Sequence, residues 1–319
     1  MNEIHLFSQT LLAEHLKKYF PIVSIPAEEK HKADYILSDT FTPDIDYFKG
    51  VRILYTGENH PISINRFDYC LTHEFVETDR CHRFPHWLCH CLIIQPEFQE
   101  FLLTPRNITA DELLAENRDF CAFVCKNPKG KQRNSLVRNL NKQRKVSCGG
   151  PFMNNIGYLV PKGYMAKRDF QSKHYFSIAY ENEASPGYQT EKIVDAFVSN
   201  SIPIYWGSDK VEEEFNPAAF VNANKFRSEK ALISHILELL DSPEEMARML
   251  SQPILQDPEV FVKAEKELID FFARIFERGP GAIQRTPMQN FLGIASRYYG
   301  HGLFRTFRYT MRRLRGKYN

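Results

Sequence analysis

Short apolar runs alternate with stretches of helical spacing along most of the chain. LLAEHLKKYF (11–20) carries apolar residues at helical intervals, whereas PIVSI (21–25), DYILSD (34–39) and FDYCLTH (67–73) read as strands. VRILYTGE (51–58) reads as a buried strand ending in a Thr-Gly turn. A second cycle starts at FCAFVCKN (120–127), closed by an Asn-Pro-Lys-Gly turn, and runs through a helix from Arg133 to Asn141 into VSCGG. The strand HYFSIAYE (174–181), the helix TEKIVDAFVSN (190–200) and the strands IPIYWG (202–207) and FVNANKF (220–226) complete it. From Ser228 onward the spacing is helical, in ALISHILELLD and PEVFVKAEKELIDFFARIF. Strand and helix taking turns predicts an α/β fold with two Rossmann-like parallel sheets facing a cleft, functional groups lying at the carboxyl ends of the strands. The break at residues 105–119 divides residues 1–115 from a second sheet domain at 116–255, and 256–319 form C-terminal helices.

Composition narrows this without redirecting it. A chain of 319 residues with 43% apolar and 25% charged positions is neither disordered nor fibrous. No run approaches the roughly 18 apolar residues of a membrane span, and MNEIHLFSQTLLAEHLKKYF has no signal core, so a cytoplasmic protein is expected. Its seven cysteines then read as free thiols, and Asn107-Ile108-Thr109 carries no glycosylation meaning. The formal charge of +2 hides an asymmetry: seven basic residues and no acidic one lie between Arg297 and Asn319, leaving the remainder net negative.

The most informative stretch is YENEASPGYQTEKI (180–193), between a strand and a helix. One reading is helix-start chemistry, with Thr190 accepting from helical N–H groups and Glu191 suiting the positive helix end. The other is a ligand cup. Lys192 is a cation in the first turn, where the macrodipole disfavours it, so an anion held there would account for it. Glu191 would accept from ribose hydroxyls, Lys192 and the open N–H groups would meet a diphosphate, and Glu181-Asn182 lie at a strand's carboxyl end, where such ligands bind. Arg133 opens a helix at the other strand-to-helix turn, and a guanidinium forks onto phosphate as lysine cannot. Glu58, in YTGEN, either is a turn residue or faces the cleft, where partial desolvation would suit it to take a proton from an alcohol.

VRILYTGEN, RFDYC, FVCKNPKGKQRNSLVRNLN, CGG, FSIAYENEASPGYQTEKIVDAFVSNSIPIYWGS and FNPAAFVN follow one another as in bacterial α-1,3/1,4-fucosyltransferases, and the chain resembles that family over roughly residues 50 to 225. The resemblance implies a GT-B fold, GDP-fucose as donor, inversion at the fucose carbon and a lactosamine-type glycan acceptor. It implies Glu58 as general base, Arg133 on the diphosphate, Asn182 and Tyr188 against the donor, Glu191 on the ribose and Lys192 on phosphate. Arg133 and Lys192 would then do the work that a metal does in other glycosyltransferases, with no obligatory cofactor.

Three further signals compete. Asp44-Ile45-Asp46 has the DxD form of metal-dependent glycosyltransferases but lacks a preceding strong strand. CHRFPHWLCHC (81–91) holds six potential zinc ligands without paired thiolate spacing, and reads better as a buried aromatic segment. The tail GLFRTFRYTMRRLRGKYN sets apolar residues at helical spacing between arginines, which suits anionic lipid, packing on the protein, or nucleic acid. The resemblance selects the first: residues 300–319 on the inner face of the cytoplasmic membrane, with no nucleic-acid partner. The rival readings are a GT-B transferase for another sugar nucleotide and a non-catalytic adaptor acting through the tail.

Overall fold

A computed structural model describes residues 3–39, 42, 45–60, 65–76, 78–104 and 106–289. The first half is a six-stranded sheet of β1 (Ile4–Ser8), β2 (Ile22–Ser24), β3 (Tyr35–Ser38), β4 (Val51–Tyr55), β5 (Tyr69–Thr72) and β6 (Cys81–Arg83), in the order β2-β1-β3-β4-β5-β6. Every neighbouring pair is parallel. β3, β4 and β5 are buried at every residue, which is why their sequences are mostly apolar instead of alternating; the buried Arg52 of β4 is held by the carbonyls of Phe48 and Asp46.

The second half is a five-stranded parallel sheet of β7 (Asp119–Phe123), β8 (Val146–Cys148), β9 (His174–Tyr180), β10 (Ile202–Trp206) and β11 (Val221–Asn222), in the order β11-β10-β9-β7-β8. β6 was not anticipated, and only two residues of FVNANKF are strand because Asn222 caps a 3-10 turn at Ala223–Lys225. The 105–119 break holds a short helix, Ala110–Ala115, started by a capping box between Thr109 and Glu112. The tail at residues 300–319 and Asp44 of the DxD pattern lie outside the described residues.

Both strand orders contain a reversal point. In the first sheet it falls between β1 and β3, in the second between β7 and β9. Open α/β sheets hold ligands beyond the strand ends at such points, because the diverging connections leave a crevice there.

Apolar packing joins the halves. The helices His86–Cys89 and Phe98–Leu103 of the first half pack on Glu191–Val198 of the second within one core cluster, which also takes in the helix Val260–Glu277. Phe276 meets Phe20 and Tyr35 at 5.1 Å between ring centroids, and Phe271 meets Tyr69 at 6.2 Å, so this late helix closes the core of the first sheet. Arg285 follows it back and pairs with the fully buried Asp68.

Candidate active site

A cavity of about 610 Å³ lies between the two sheets and is lined by Glu58, Arg133, Asn182, Tyr188, Glu191 and Lys192 together. All six sequence candidates thus come to one place, although 134 residues separate the first from the last. Thr10 and Asp39, at the reversal point of the first sheet, line the same space.

Glu181 organises the second wall. It follows β9 with no solvent exposure and accepts from the Thr190 N–H at 2.8 Å, the Thr190 hydroxyl at 2.9 Å and the Lys192 ammonium at 2.9 Å. This corrects two expectations. Thr190 makes no side-chain cap on the helix Glu191–Val198; its hydroxyl turns to Glu181 instead. Lys192 in the first turn is accounted for by the carboxylate of Glu181 and needs no external anion to explain it. Two of its three N–H donors go to Glu181 and Thr190, and Glu191 lies 3.7 Å away. Burial works against the Lys192 charge, yet Glu181 and Glu191 outweigh it and hold its pKa above the usual lysine value.

Glu191 sits among basic side chains. Burial works against its ionisation, but Lys192, Lys167 and His86 overcome that and keep its carboxyl well below the ordinary range. His86 reaches it from the first half, with Nε2 3.7 Å from Glu191 and Nδ1 3.2 Å from the Tyr55 hydroxyl. Gly57 leaves room for that ring, since a Cβ there would stand 2.7 Å from His86 Nδ1. Lys167 pairs with the buried Asp195 at 2.6 Å, one turn along the Glu191 helix.

Arg133 is 3% exposed and rigidly held. One terminal nitrogen donates to Asn182 Oδ1 at 2.7 Å, the other to the carbonyls of Asn127 (2.7 Å) and Lys129, while Nε–H has no partner. Asn182 is therefore the acceptor that aims the guanidinium across from β9. Tyr188 is 3% exposed, and burial raises its phenol well above the usual value.

Glu58 differs from the others. It stands in the turn after β4, exposed, with its N–H bonded to Thr56 Oγ1 at 3.2 Å. The desolvation that the base argument invoked is thus not supplied by the protein itself. The turn is braced from across the cleft, where Ser185 donates to Asn59 at 2.8 Å. Gly187, at φ +79°, brings that loop so near that a Cβ would lie 2.1 Å from the His73 carbonyl oxygen.

The described residues of the competing metal signals have structural partners. Asp46 is buried and paired with Arg66 at 2.8 Å. Of the 81–91 segment, His82 stacks on Phe271, Cys89 and Cys91 lie in the core and His86 faces the cavity. Among the described residues no three His, Cys, Asp or Glu side chains are grouped so as to hold a metal ion, and none of the seven cysteines is in a disulfide. Sequence reasoning missed Lys167, Gln171 and Tyr55, which lie within ordinary helix and strand patterns, and it left His86 uncommitted.

Two parallel sheets that turn their reversal points toward one charged cleft are the GT-B architecture of glycosyltransferases. A sequence model described as glycosyltransferase family 10 (fucosyltransferase) C-term matches residues 114–251, and one for the alpha-(1,3)-fucosyltransferase FucT N-terminal domain matches residues 7–90. The chain belongs to this fucosyltransferase family. It is 31% identical over 223 residues to alpha-(1,3)-fucosyltransferase FucT of Helicobacter pylori, an alignment covering 60% of this chain and 45% of that protein, so the chain spans less than half of that relative's length. The fold is shared with crystal structures of an alpha1,3-fucosyltransferase. The structure with GDP has a TM-score of 0.70 at 24% identity, covering 89% of this chain and 93% of that one. The structure with GDP-fucose has a TM-score of 0.65 at 24% identity, covering 84% and 90%.

Proposed function

We propose that the chain transfers L-fucose from GDP-β-L-fucose, with inversion, to an N-acetylglucosamine hydroxyl of a lactosamine-type glycan in α-1,3 or α-1,4 linkage. One observation carries this reading: a carboxylate from the first half and a guanidinium, an ammonium and a second carboxylate from the other line a single cavity of about 610 Å³. The names of the Helicobacter pylori relative and of the GDP-fucose complex support fucosyl transfer and the donor.

Glu58 removes the acceptor hydroxyl's proton as that oxygen attacks the fucose carbon opposite the leaving GDP. Its exposure leaves it within reach of a glycan arriving from solvent, and the bound acceptor then supplies the desolvation. Arg133, fixed by Asn182 and two carbonyls, offers its remaining donors to the diphosphate without reorganising, and Lys192 adds charge beside it. Glu191, kept ionised by its cations, accepts from the ribose hydroxyls, and Tyr188 packs against the donor. On this reading no cofactor is obligatory.

Residues 300–319 attach the protein to anionic lipid, a proposal supported by the helical spacing of apolar and basic residues there. Incubation with GDP-fucose and a panel of lactosamine acceptors, followed by linkage analysis, tests the main reading. Transfer from GDP-mannose or a UDP-sugar with none from GDP-fucose would overturn it.

A further inference from the structure

Away from the cleft, one edge of the second sheet carries charge that the protein does not balance. Between Phe120 and Arg168 the chain has eleven Lys and Arg and no Asp or Glu. Arg133, Lys167 and Arg168 are taken up by Asn182, by Asp195 and by the ring of Phe101. The other eight are exposed. Lys131, Arg138 and Lys142 stand seven and four residues apart on the helix Lys131–Gln143 and so form one stripe along it. Among the described residues, the carboxylate bonded to that helix is Glu229, which accepts from Ser135 at 3.1 Å and from Asn139 at 2.6 Å. Arg227 and Lys230, exposed on either side of Glu229, outnumber it.

The same edge is also apolar. The helix leads into β8, the outer strand, and the segment after β8 turns back along it. Asn155 bonds the Val146 carbonyl and the Cys148 N–H, each at 2.8 Å, and the Val160 N–H reaches the Gly149 carbonyl at 2.9 Å. Around those bonds Tyr158 and Leu159 are each 57% exposed and Met165 is 49% exposed, with the exposed Lys162 between them. A single exposed apolar side chain needs no explanation, but three so close together beside unbalanced cations make a patch.

We propose that this edge docks on an anionic lipid surface, with Tyr158, Leu159 and Met165 entering the headgroup boundary while Lys162 and the stripe of Lys131, Arg138 and Lys142 meet lipid phosphates. Charge and apolarity together select the occupant. A second copy in a two-fold dimer would bring the same positive edge against itself. The segment from Arg297 to Asn319, with seven basic residues and no acidic one, would be repelled. Nucleic acid would meet the cations but leave Leu159 and Met165 in water. The surface belongs to the folded second half and does not depend on the attachment of residues 300–319.

The test is flotation of the full chain with vesicles of phosphatidylcholine, alone or with phosphatidylglycerol, with melting to show that each variant folds. Each cation near an anionic surface contributes about fivefold, so the triple variant Lys131→Gln, Arg138→Gln, Lys142→Gln should bind phosphatidylglycerol vesicles about 100-fold more weakly. The control Lys17→Gln, Lys263→Gln, Lys266→Gln removes as much charge from residues already paired with Glu14, Asp257 and Asp270, and should move binding less than about threefold. Leu159→Trp adds a readout that attachment by the tail alone would not give. Trp87 is fully buried and Trp206 is stacked on Tyr180, so the added emission, taken against the unsubstituted chain, should shift to the blue on anionic vesicles and be quenched by brominated acyl chains. Undiminished binding by the stripe variant, an equal loss in the control, or unquenched emission from vesicle-bound Leu159→Trp would overturn the inference. So would equal binding to phosphatidylcholine alone, or a stripe variant that loses a DNA duplex and keeps the vesicles.

Discussion

Replacing Glu181 isolates the contact on which the donor wall depends. Its carboxylate is fully buried and accepts from the Thr190 N–H, from the Thr190 hydroxyl, which lies 2.9 Å from both oxygens, and from Lys192 at 2.9 Å. Breaking a buried ion pair by removing one partner costs about 3–5 kcal/mol, because the other charge is left uncompensated. Two features reduce that here: the Lys192 side chain keeps 21% exposure and Glu191 stands 3.7 Å away as a second partner. Glu181→Gln also preserves an acceptor for Thr190. The expected loss is therefore about 2 kcal/mol, or a fall of about 3 °C in melting temperature for a chain of this length. Lys192→Met should cost about as much by stranding Glu181. The double variant should cost little more than either single one, giving a coupling of about 1–3 kcal/mol in urea unfolding. Because the Lys192 pKa is raised on folding, the pair contributes in full at neutral pH and weakens only in strong alkali, so the cycle is read at pH 7. Additivity within about 0.5 kcal/mol would refute the argument that Glu181 is what balances Lys192.

Three other outcomes follow from the site. Glu58→Gln should lower kcat by about 10²–10⁴-fold while leaving GDP binding and melting unchanged, since the side chain is exposed and reserved for the acceptor; transfer within tenfold of the parent would remove it as the base. Arg133→Lys keeps the charge but cannot serve Asn182, two carbonyls and a diphosphate at once, so kcat/KM for the donor should fall at least about 100-fold in steady-state kinetics, and near-normal values would show that the fork is not used. Acid should destabilise the fold before carboxylates titrate. Burial, joined by Arg274 and Arg83, lowers His82 to about 4, and burial lowers His90 to about 4. The unfolded chain then binds more protons between pH 6.5 and 4, so stability falls as pH drops through that window, by no more than about 3 kcal/mol for each histidine. Urea midpoints that stay flat from pH 6.5 to 4.5 would contradict this.

The alternation of runs such as VRILYTGE and FCAFVCKN was enough to read two parallel sheets, because a strand buried on both faces is mostly apolar. The cleft was legible for a related reason: ligands gather at strand ends, and Glu58, Arg133 and Glu181-Asn182 all follow strands. What the sequence did not disclose was pairing at a distance. Nothing local to Lys192 says that the glutamate 11 residues earlier is folded beneath it, so a helix-dipole argument assigned to a ligand what the protein itself provides. Gln171 and Lys167 were invisible because a helix pattern records which face is buried but not that the burial borders a cavity. Glu58 erred in the other direction: its position after β4 was readable, but its exposure depends on how the two halves meet.

How they meet bears on how a substrate enters. Trp87 of the first half is fully buried, 4.8 Å from Phe215 of the second, and its indole N–H donates to Glu214 at 3.1 Å, which also takes Arg83 at 2.7 Å. Swinging the halves apart would return that indole to water, at about 4–6 kcal/mol for 150–250 Å² of surface, and would strip Glu214 of both partners. The 3.7 Å approach of His86 to Glu191 is held by the same packing. On the proposed function, a hinge wide enough to admit a glycan would break this core first, so the acceptor should enter from the side on which Glu58 is exposed, with the halves fixed around the donor.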